Sequence, residues 1–454
     1  MRGWVWVAVT VGACARSPDV LVPAAAPRVA EPPAYAATFA SYLDALEAHR
    51  RWSGSVAITR NGVVEVQDSA GSLDGTGAAP IGPDTRLWIG SITKTFTAVV
   101  VMQLIEQGKL TLDSPLSTWF PTIPGADRVT IDHLLAHRSG LRSVTSDDDY
   151  LAWLDHPVTH EEIVARIASY EPVFEPGARA EYSNSGYILL GYIIEAVEGR
   201  PYGDVVRERI LEPVGMPRTR YAEPIDVTRD EARSFEWDGR GWAPSTETHP
   251  TVPGAAGALV STPAELCAFA EALFEGRLVS AASLAAMQEL REQVGRGLFR
   301  FPFHDRHAWG HTGAIDGFSS QLAWFPEDRL CAALIGSAAD TPTNDVAIAA
   351  LTLAFGLPFE MPPVADVAVA EADLQRWVGR YTSSDLPLEV EVRLDGGVLF
   401  AQATGQAAFP LRPESPTEFT FERAGIRFVF DVGADGQVGF RLVQGDEYRY
   451  VRQP

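Results

Sequence analysis

Ser91 and Lys94 stand three residues apart at the head of the stretch "SITKTFTAVVVMQLIEQGKL", residues 91–110. Of the chain's 37 basic residues only Lys94 and Lys109 are lysine; the rest are arginine. Residues three apart share a helix face, so the Ser91 hydroxyl points toward the Lys94 ammonium. The residues that follow, from Phe96 through Val101 to Leu104 and Ile105, are apolar almost all round, the pattern of a buried helix. Burial disfavours the charged form of lysine and lowers its pKa, which equips Lys94 to take a proton from Ser91. Arginine, which stays charged at every working pH, has no such capacity. A serine at a helix start also lies among backbone N–H groups that favour developing negative charge. Alone, Ser-x-x-Lys is a weak pattern, common on solvated helix faces, and arginine excess often reflects genomic composition.

Two further stretches carry polar groups of the right type. "EYSNSGYILLG" sets Tyr182 and Asn184 two apart just before a helix, where an extended segment turns both side chains the same way. "WGHTGAIDGFSS" sets His311, Thr312 and Gly313 on a strand leading into a turn. Each is bland by itself. In the order Ser-x-x-Lys, Tyr-x-Asn, His-Thr-Gly they resemble the three active-site motifs of the serine β-lactamase and penicillin-binding family, in particular its class C branch. "IDHLLAHRSGL", "FEPGARAEYSNSGYILLG", "ILEPVGMPRT" and "GALVSTPAEL" also resemble segments of that family, in family order, from about residue 50 to about 350.

The resemblance implies Ser91 as the acylated nucleophile, Lys94 as its activating partner and Tyr182 as a second general acid/base. It leaves open whether Lys94 or Tyr182 takes the first proton. It also implies Asn184 as a ligand of the substrate's acyl amide, and backbone N–H groups of Ser91 and Ala314 as the oxyanion hole. Thr312 and His311, beside Gly313, would face the substrate's carboxylate or leaving group. Class C enzymes usually carry lysine where this chain has His311. Histidine is largely neutral above its pKa of about 6.5, so a permanent charge for a β-lactam carboxylate is missing. The His-Thr-Gly form resembles the family's D,D-carboxypeptidases and esterases. The implied function is an exported serine hydrolase acting through an acyl-enzyme on peptides or amides with D-residues, or on esters. The alternatives are a slowly turning-over penicillin-binding sensor or envelope scaffold, and a class C β-lactamase. No metal or cofactor is implied: "HEEIV" at His160 lacks the second histidine of a zinc-binding helix. His133 and His137 are read as shaping a helix end and a loop.

These residues need a scaffold, and hydrophobic periodicity indicates one. An amphipathic helix, "ATFASYLDALEAHRRW", precedes the strands "SVAITR" and "VVEVQD", joined by the hairpin signal Asn61-Gly62. Helices ending in glycine, at Gly108 and Gly199, fill the middle. Strands return as "SSQLAWF" and "LCAALIGS" around a Pro326-Glu327-Asp328 turn, so one antiparallel sheet is expected to join both ends of the section. The expected fold is α/β (α+β): an antiparallel sheet flanked by helices, a helical subdomain, and then a small all-β barrel-like domain. For the last, Leu386, Leu388, Val390, Val392 and Leu394 alternate with polar residues, as do Ile426, Phe428 and Phe430, and Val438, Phe440 and Leu442. It is similar to the lipocalin-like barrel appended to some family peptidases.

The expected boundaries are a signal peptide at 1–13, a Pro/Ala-rich tether at 14–35, the hydrolase domain at 36–357, a linker at 358–372 and the β domain at 373–454. Arg2, the apolar run "WVWVAVTV" and Val11-Gly12-Ala13-Cys14 make an export signal resembling a lipobox, with Cys14 lipidated. Ala13-Cys14-Ala15 also fits a plain cleavage site, which would release a secreted protein. The net charge of -22 argues against nucleic acid or an anionic membrane surface as partner, leaving a lipid anchor as the only membrane contact. Cys267 and Cys331 sit in apolar patterns and read as buried thiols, with a single disulfide as the alternative.

Overall fold

The structure is a computed structural model describing residues 28–29 and 31–454, apart from 148, 340, 365, 366, 422, 423 and 435. The signal peptide and Cys14 lie outside the described residues.

The hairpin forms where expected: Trp52–Arg60 and Val63–Ala70 pair antiparallel, with Asn61 and Gly62 both at positive φ, 53° and 71°, as a two-residue turn of this hand requires. The Trp52–Arg60 strand then pairs with Leu330–Ala339, so the start and the end of this domain meet in the middle of one sheet. Phe318–Phe325, Arg306–Ile315 and Phe299–Phe303 continue it, and a short parallel pairing of Arg28–Val29 lies at the opposite edge. One face is covered by the helices Ala34–Ala48 and Thr343–Ala354, the other by Pro263–Phe274 and the helical middle. Cys267 and Cys331 are both free and fully buried in that second core.

The helix Thr93–Glu106 runs through the centre of the middle section, buried on every side from Thr93 to Met102. Its Phe96 ring stacks on Phe269 with centroids 3.8 Å apart, locking the helix to the sheet-covering layer. Fully burying side chains of this size contributes about 1.5–3 kcal/mol each, so the helix is a firm support for whatever its first turn carries. The helix Asn184–Glu198 crosses beside it and ends at Gly199, at φ 69°.

The C-terminal strands, from Gly379–Thr382 to Asp446–Arg452, form a closed eight-stranded antiparallel barrel, sealed where Tyr381 pairs with Arg452. Its interior is aromatic: Tyr381, Phe419, Phe428, Phe430, Phe440 and Tyr450 are all buried. Strand structure begins at Val390, so Leu386 and Leu388 continue the alternation in sequence without belonging to the strand. The barrel rests on the hairpin of Phe235–Trp237 and Trp242–Pro244: Arg412 stacks over Trp237 at 5.2 Å, and Arg240 pairs with Asp395 at 3.0 Å. That hairpin in turn supports the turn after the His-Thr-Gly strand, where the Gly317 N–H donates to Ser234 Oγ at 3.1 Å.

Candidate active site

Ser91 lies in a single 3₁₀ turn, Gly90–Ile92, that opens directly into the helix Thr93–Glu106. Gly90 adopts φ 48°, and a Cβ there would stand 3.0 Å from the Ala314 nitrogen. Only glycine fits both the conformation and the approach. The same closeness recurs at Gly313, where a Cβ would fall 2.1 Å from the Ile89 carbonyl oxygen. These two glycines let the end of the Arg306–Ile315 strand lie flush against the serine turn. Phe299–Phe303 pairs with that strand only as far as Gly310, so the edge from 311 to 315 is left to face the turn. The backbone N–H groups of Ser91 and Ala314 thereby come from adjoining segments.

Lys94 is 0% exposed. Its Nζ lies 2.9 Å from Ser91 Oγ, 2.7 Å from Asn184 Oδ1 and 2.7 Å from the Ala256 carbonyl oxygen. Two of these partners, the amide oxygen and the carbonyl, can only accept. The orientation of the Asn184 amide is set by its Nδ2, which donates to Thr145 Oγ1 at 2.9 Å. A neutral lysine has two N–H donors and one lone pair, so with both donors committed the lone pair is left for the Ser91 hydroxyl. Desolvation favours that state, holding the Lys94 pKa well below its ordinary value. The arrangement can therefore draw the proton from Ser91 and leave an alkoxide beside two backbone N–H groups.

Tyr182 stands over this cluster, with Lys94 Nζ 4.9 Å from its ring centroid. The ring is 42% exposed, yet burial of its surroundings pushes the phenol up to about 12, with the Ser91 side chain pulling it partly back. At neutral pH it is a proton donor. Thr312 is exposed on the strand beyond.

Asn184, expected to hold the substrate's amide, bonds to Lys94 and Thr145. His311, expected to face the substrate with Thr312, is 2% exposed, and its Nδ1 meets its neighbour's carbonyl, Thr312 O, at 2.5 Å. A carbonyl only accepts, so that nitrogen carries a proton. Burial, with Lys94 nearby, pushes its pKa down to about 3.

The sequence reading missed Ala256 and Thr145. Ala256 acts through its backbone oxygen, for which the small-residue turn in "VPGAAGA" is the only trace. Thr145 lies on the loop after "AHRSGL", which is tied to the Asn184 helix where the Asn184 N–H donates to Ser143 Oγ at 3.1 Å and the Val144 N–H to Ser185 Oγ at 3.0 Å. His133 closes a capping box with Thr130, a structural role. His137 is 3% exposed, takes φ 53° and stacks on Tyr182 with ring centroids 4.3 Å apart.

Comparisons with known proteins bear on the family and the fold. Penicillin-binding protein 4* of Bacillus subtilis (strain 168) is 26% identical over 441 residues, spanning 88% of this chain and 95% of its own. The D-amino acid amidase from Ochrobactrum anthropi SV3, solved with L-phenylalanine amide, superposes with a TM-score of 0.63 at 28% identity over 71% of this chain and 99% of that one. The octameric penicillin-binding protein homologue from Pyrococcus abyssi gives 0.64 at 27% identity, over 92% of this chain and 99% of that one. The Beta-lactamase family profile matches residues 38–357, and the chain belongs to that family of serine hydrolases.

Proposed function

We propose that the protein hydrolyses amides of D-amino acids, or small esters, through an acyl-enzyme on Ser91. The observation that carries this reading is the bonding of Lys94, whose two acceptor-only partners reserve its lone pair for the Ser91 hydroxyl. In the first half-reaction Lys94 takes the Ser91 proton, the oxygen attacks the acyl carbon, and the N–H groups of Ser91 and Ala314 receive the oxyanion. Tyr182 then protonates the departing amine or alcohol, and the resulting phenolate takes the proton of the water that attacks the ester in the second half-reaction. Lys94 returns its proton to the Ser91 oxygen as the acid leaves. The buried and uncharged His311 supplies no cation for a substrate carboxylate, which favours amides and esters over β-lactams and peptides ending in a free D-residue. The likeness to the D-amino acid amidase points the same way.

The test is a burst-kinetics panel of D- and L-amino acid amides, short-chain nitrophenyl esters and a chromogenic cephalosporin, with a fluorophosphonate adduct mapped by mass spectrometry. Sustained turnover of D-amides or esters and an adduct on Ser91 are expected. Faster turnover of the cephalosporin, or an adduct on another serine, overturns the reading. One observation favours slow turnover instead. A phenol pushed up to about 12 is readily re-protonated near neutral pH, so little phenolate persists to activate the deacylating water. One equivalent released in a burst, followed by a stalled steady state on every substrate, would mark a penicillin-binding sensor.

We also propose export, with Cys14 lipidated and residues 14–35 tethering the enzyme to the envelope. Labelled palmitate should enter the wild type and not Cys14→Ser; an unmodified mature chain starting at Arg16 would instead mark the secreted form.

A further inference from the structure

His137 is attached to the Tyr182 segment at three points. Its carbonyl accepts the Glu181 N–H at 2.8 Å, its Nδ1 accepts the Ser183 N–H at 3.2 Å, and its ring lies on the Tyr182 ring at 25°. The residues on both sides of Tyr182 are thus bonded to one histidine, and the phenol between them rests on its face. We propose that His137 is the positioning residue of the site, holding the Tyr182 hydroxyl in register with Ser91 and Lys94. The inference rests on the reading of Tyr182 as proton donor.

The tautomer follows from the bonding. Nδ1 accepts an N–H, so the proton is on Nε2 and the ring is neutral. Protonation would set a second N–H against that of Ser183. Burial opposes it, and so does the nearby Lys94, which together hold the imidazole well below its ordinary range. The ring also packs against Tyr187, with centroids 5.1 Å apart, and the Tyr187 hydroxyl donates to the Leu135 carbonyl at 2.7 Å, so this neighbour of His137 is itself held in place. His137 takes φ 53°, a left-handed conformation that histidine adopts more readily than most non-glycine residues and that glycine and asparagine also accept. At 3% exposure the ring does not meet substrate, so its influence passes through Tyr182.

The experiment compares His137→Gly, His137→Asn and Tyr182→Phe using a small ester, with folding followed by circular dichroism and thermal melting. Glycine accepts the backbone conformation and removes both ring and acceptor. Asparagine also accepts it and offers Oδ1 to the Ser183 N–H. His137→Gly should lower kcat about 10- to 100-fold with KM nearly unchanged, the signature of a displaced catalytic group. The alkaline limb of its rate profile should move from the region of 12 down toward the ordinary phenol value near 10 as Tyr182 becomes solvated. His137→Asn should recover part of the rate, and it is the variant to read if His137→Gly does not fold. Folded variants with wild-type kcat and an unshifted profile overturn the inference while leaving the Tyr182 reading standing. If Tyr182→Phe itself acylates at the wild-type rate, the Tyr182 reading fails and the positioning role falls with it.

Discussion

Replacing Lys94 by arginine separates a proton-accepting role from an ion-pairing one. The wild-type amine is held by Asn184 Oδ1 and the Ala256 carbonyl, both at 2.7 Å, with Ser91 Oγ at 2.9 Å along the remaining direction. A guanidinium keeps its charge and offers Ser91 only N–H groups, so no lone pair is available at any working pH. General-base assistance is typically worth about 10²–10⁴-fold, or ~3–5 kcal/mol of barrier. Acylation by Lys94→Arg should therefore fall at least ~100-fold. Stability should fall as well: the site is sealed, and a larger side chain there costs about 1–3 kcal/mol in strain before its fixed charge is counted. Lys94→Met is the companion variant. It fits the buried space without charge, and leaves the Asn184 and Ala256 oxygens each without one donor, at about 1–3 kcal/mol apiece. The two variants differ in what they do to the fold and agree in lacking a base. Lys109→Arg is the control: that lysine is largely exposed and paired with Glu198 at 2.7 Å, and arginine can keep the pair. The assay is single-turnover acylation by stopped flow, scaled to the folded fraction. Acylation within about tenfold of wild type in either Lys94 variant would refute the reasoning and leave Tyr182 as the sole candidate base.

Acid should unfold the protein partly through His311. Its folded pKa is pushed down to about 3, while the unfolded ring titrates near 6.5, so below pH 6.5 the unfolded chain takes up a proton that the native state refuses. Stability is then full above about 6.5 and is lost as pH falls toward 3, by roughly 5 kcal/mol at most for this group. Urea titrations of His311→Gln across this range should show a shallower loss than wild type; an identical slope would contradict the assignment. Gly90→Ala should cost only ~1–2 kcal/mol of stability, since an alanine at φ 48° is strained but local. Because its Cβ must push the Ala314 nitrogen away, acylation should drop by about 10²–10³-fold, as for loss of one oxyanion donor. Finally, acylation should rise with pH as Lys94, held well below its ordinary pKa, gives up its proton, and stay level until the region of 12 where Tyr182 ionises.

What could be read from sequence was what is local along the chain. Ser91 and Lys94 meet because three residues are one turn of helix, and Asn61-Gly62 turns because both residues tolerate positive φ. The meeting of the two chain ends was also legible, since alternating strands on either side of a helical middle have few other ways to bury themselves. The barrel was legible from the alternation of its strands together with the likeness to a lipocalin-like barrel; which residues seal it, Tyr381 and Arg452, was not, because alternation gives each strand two unlike faces without naming its partner. The limit is sharper at the site. Asn184 was legible as a site residue, but its partner was not: Oδ1 goes to Lys94 only because Thr145, 39 residues away, takes the other end of the amide. Ala256 contributes an oxygen that every residue owns. His137 matters through a ring face and a backbone conformation, neither of which leaves a spacing pattern. Three separate segments therefore converge on one amine, and what Asn184 and Ala256 contribute to it leaves no spacing pattern in the sequence. The amine's chemistry is accordingly a property of the fold: burial lowers the Lys94 pKa, and the neutral amine turns its lone pair to Ser91 because Asn184 and Ala256 take its hydrogens.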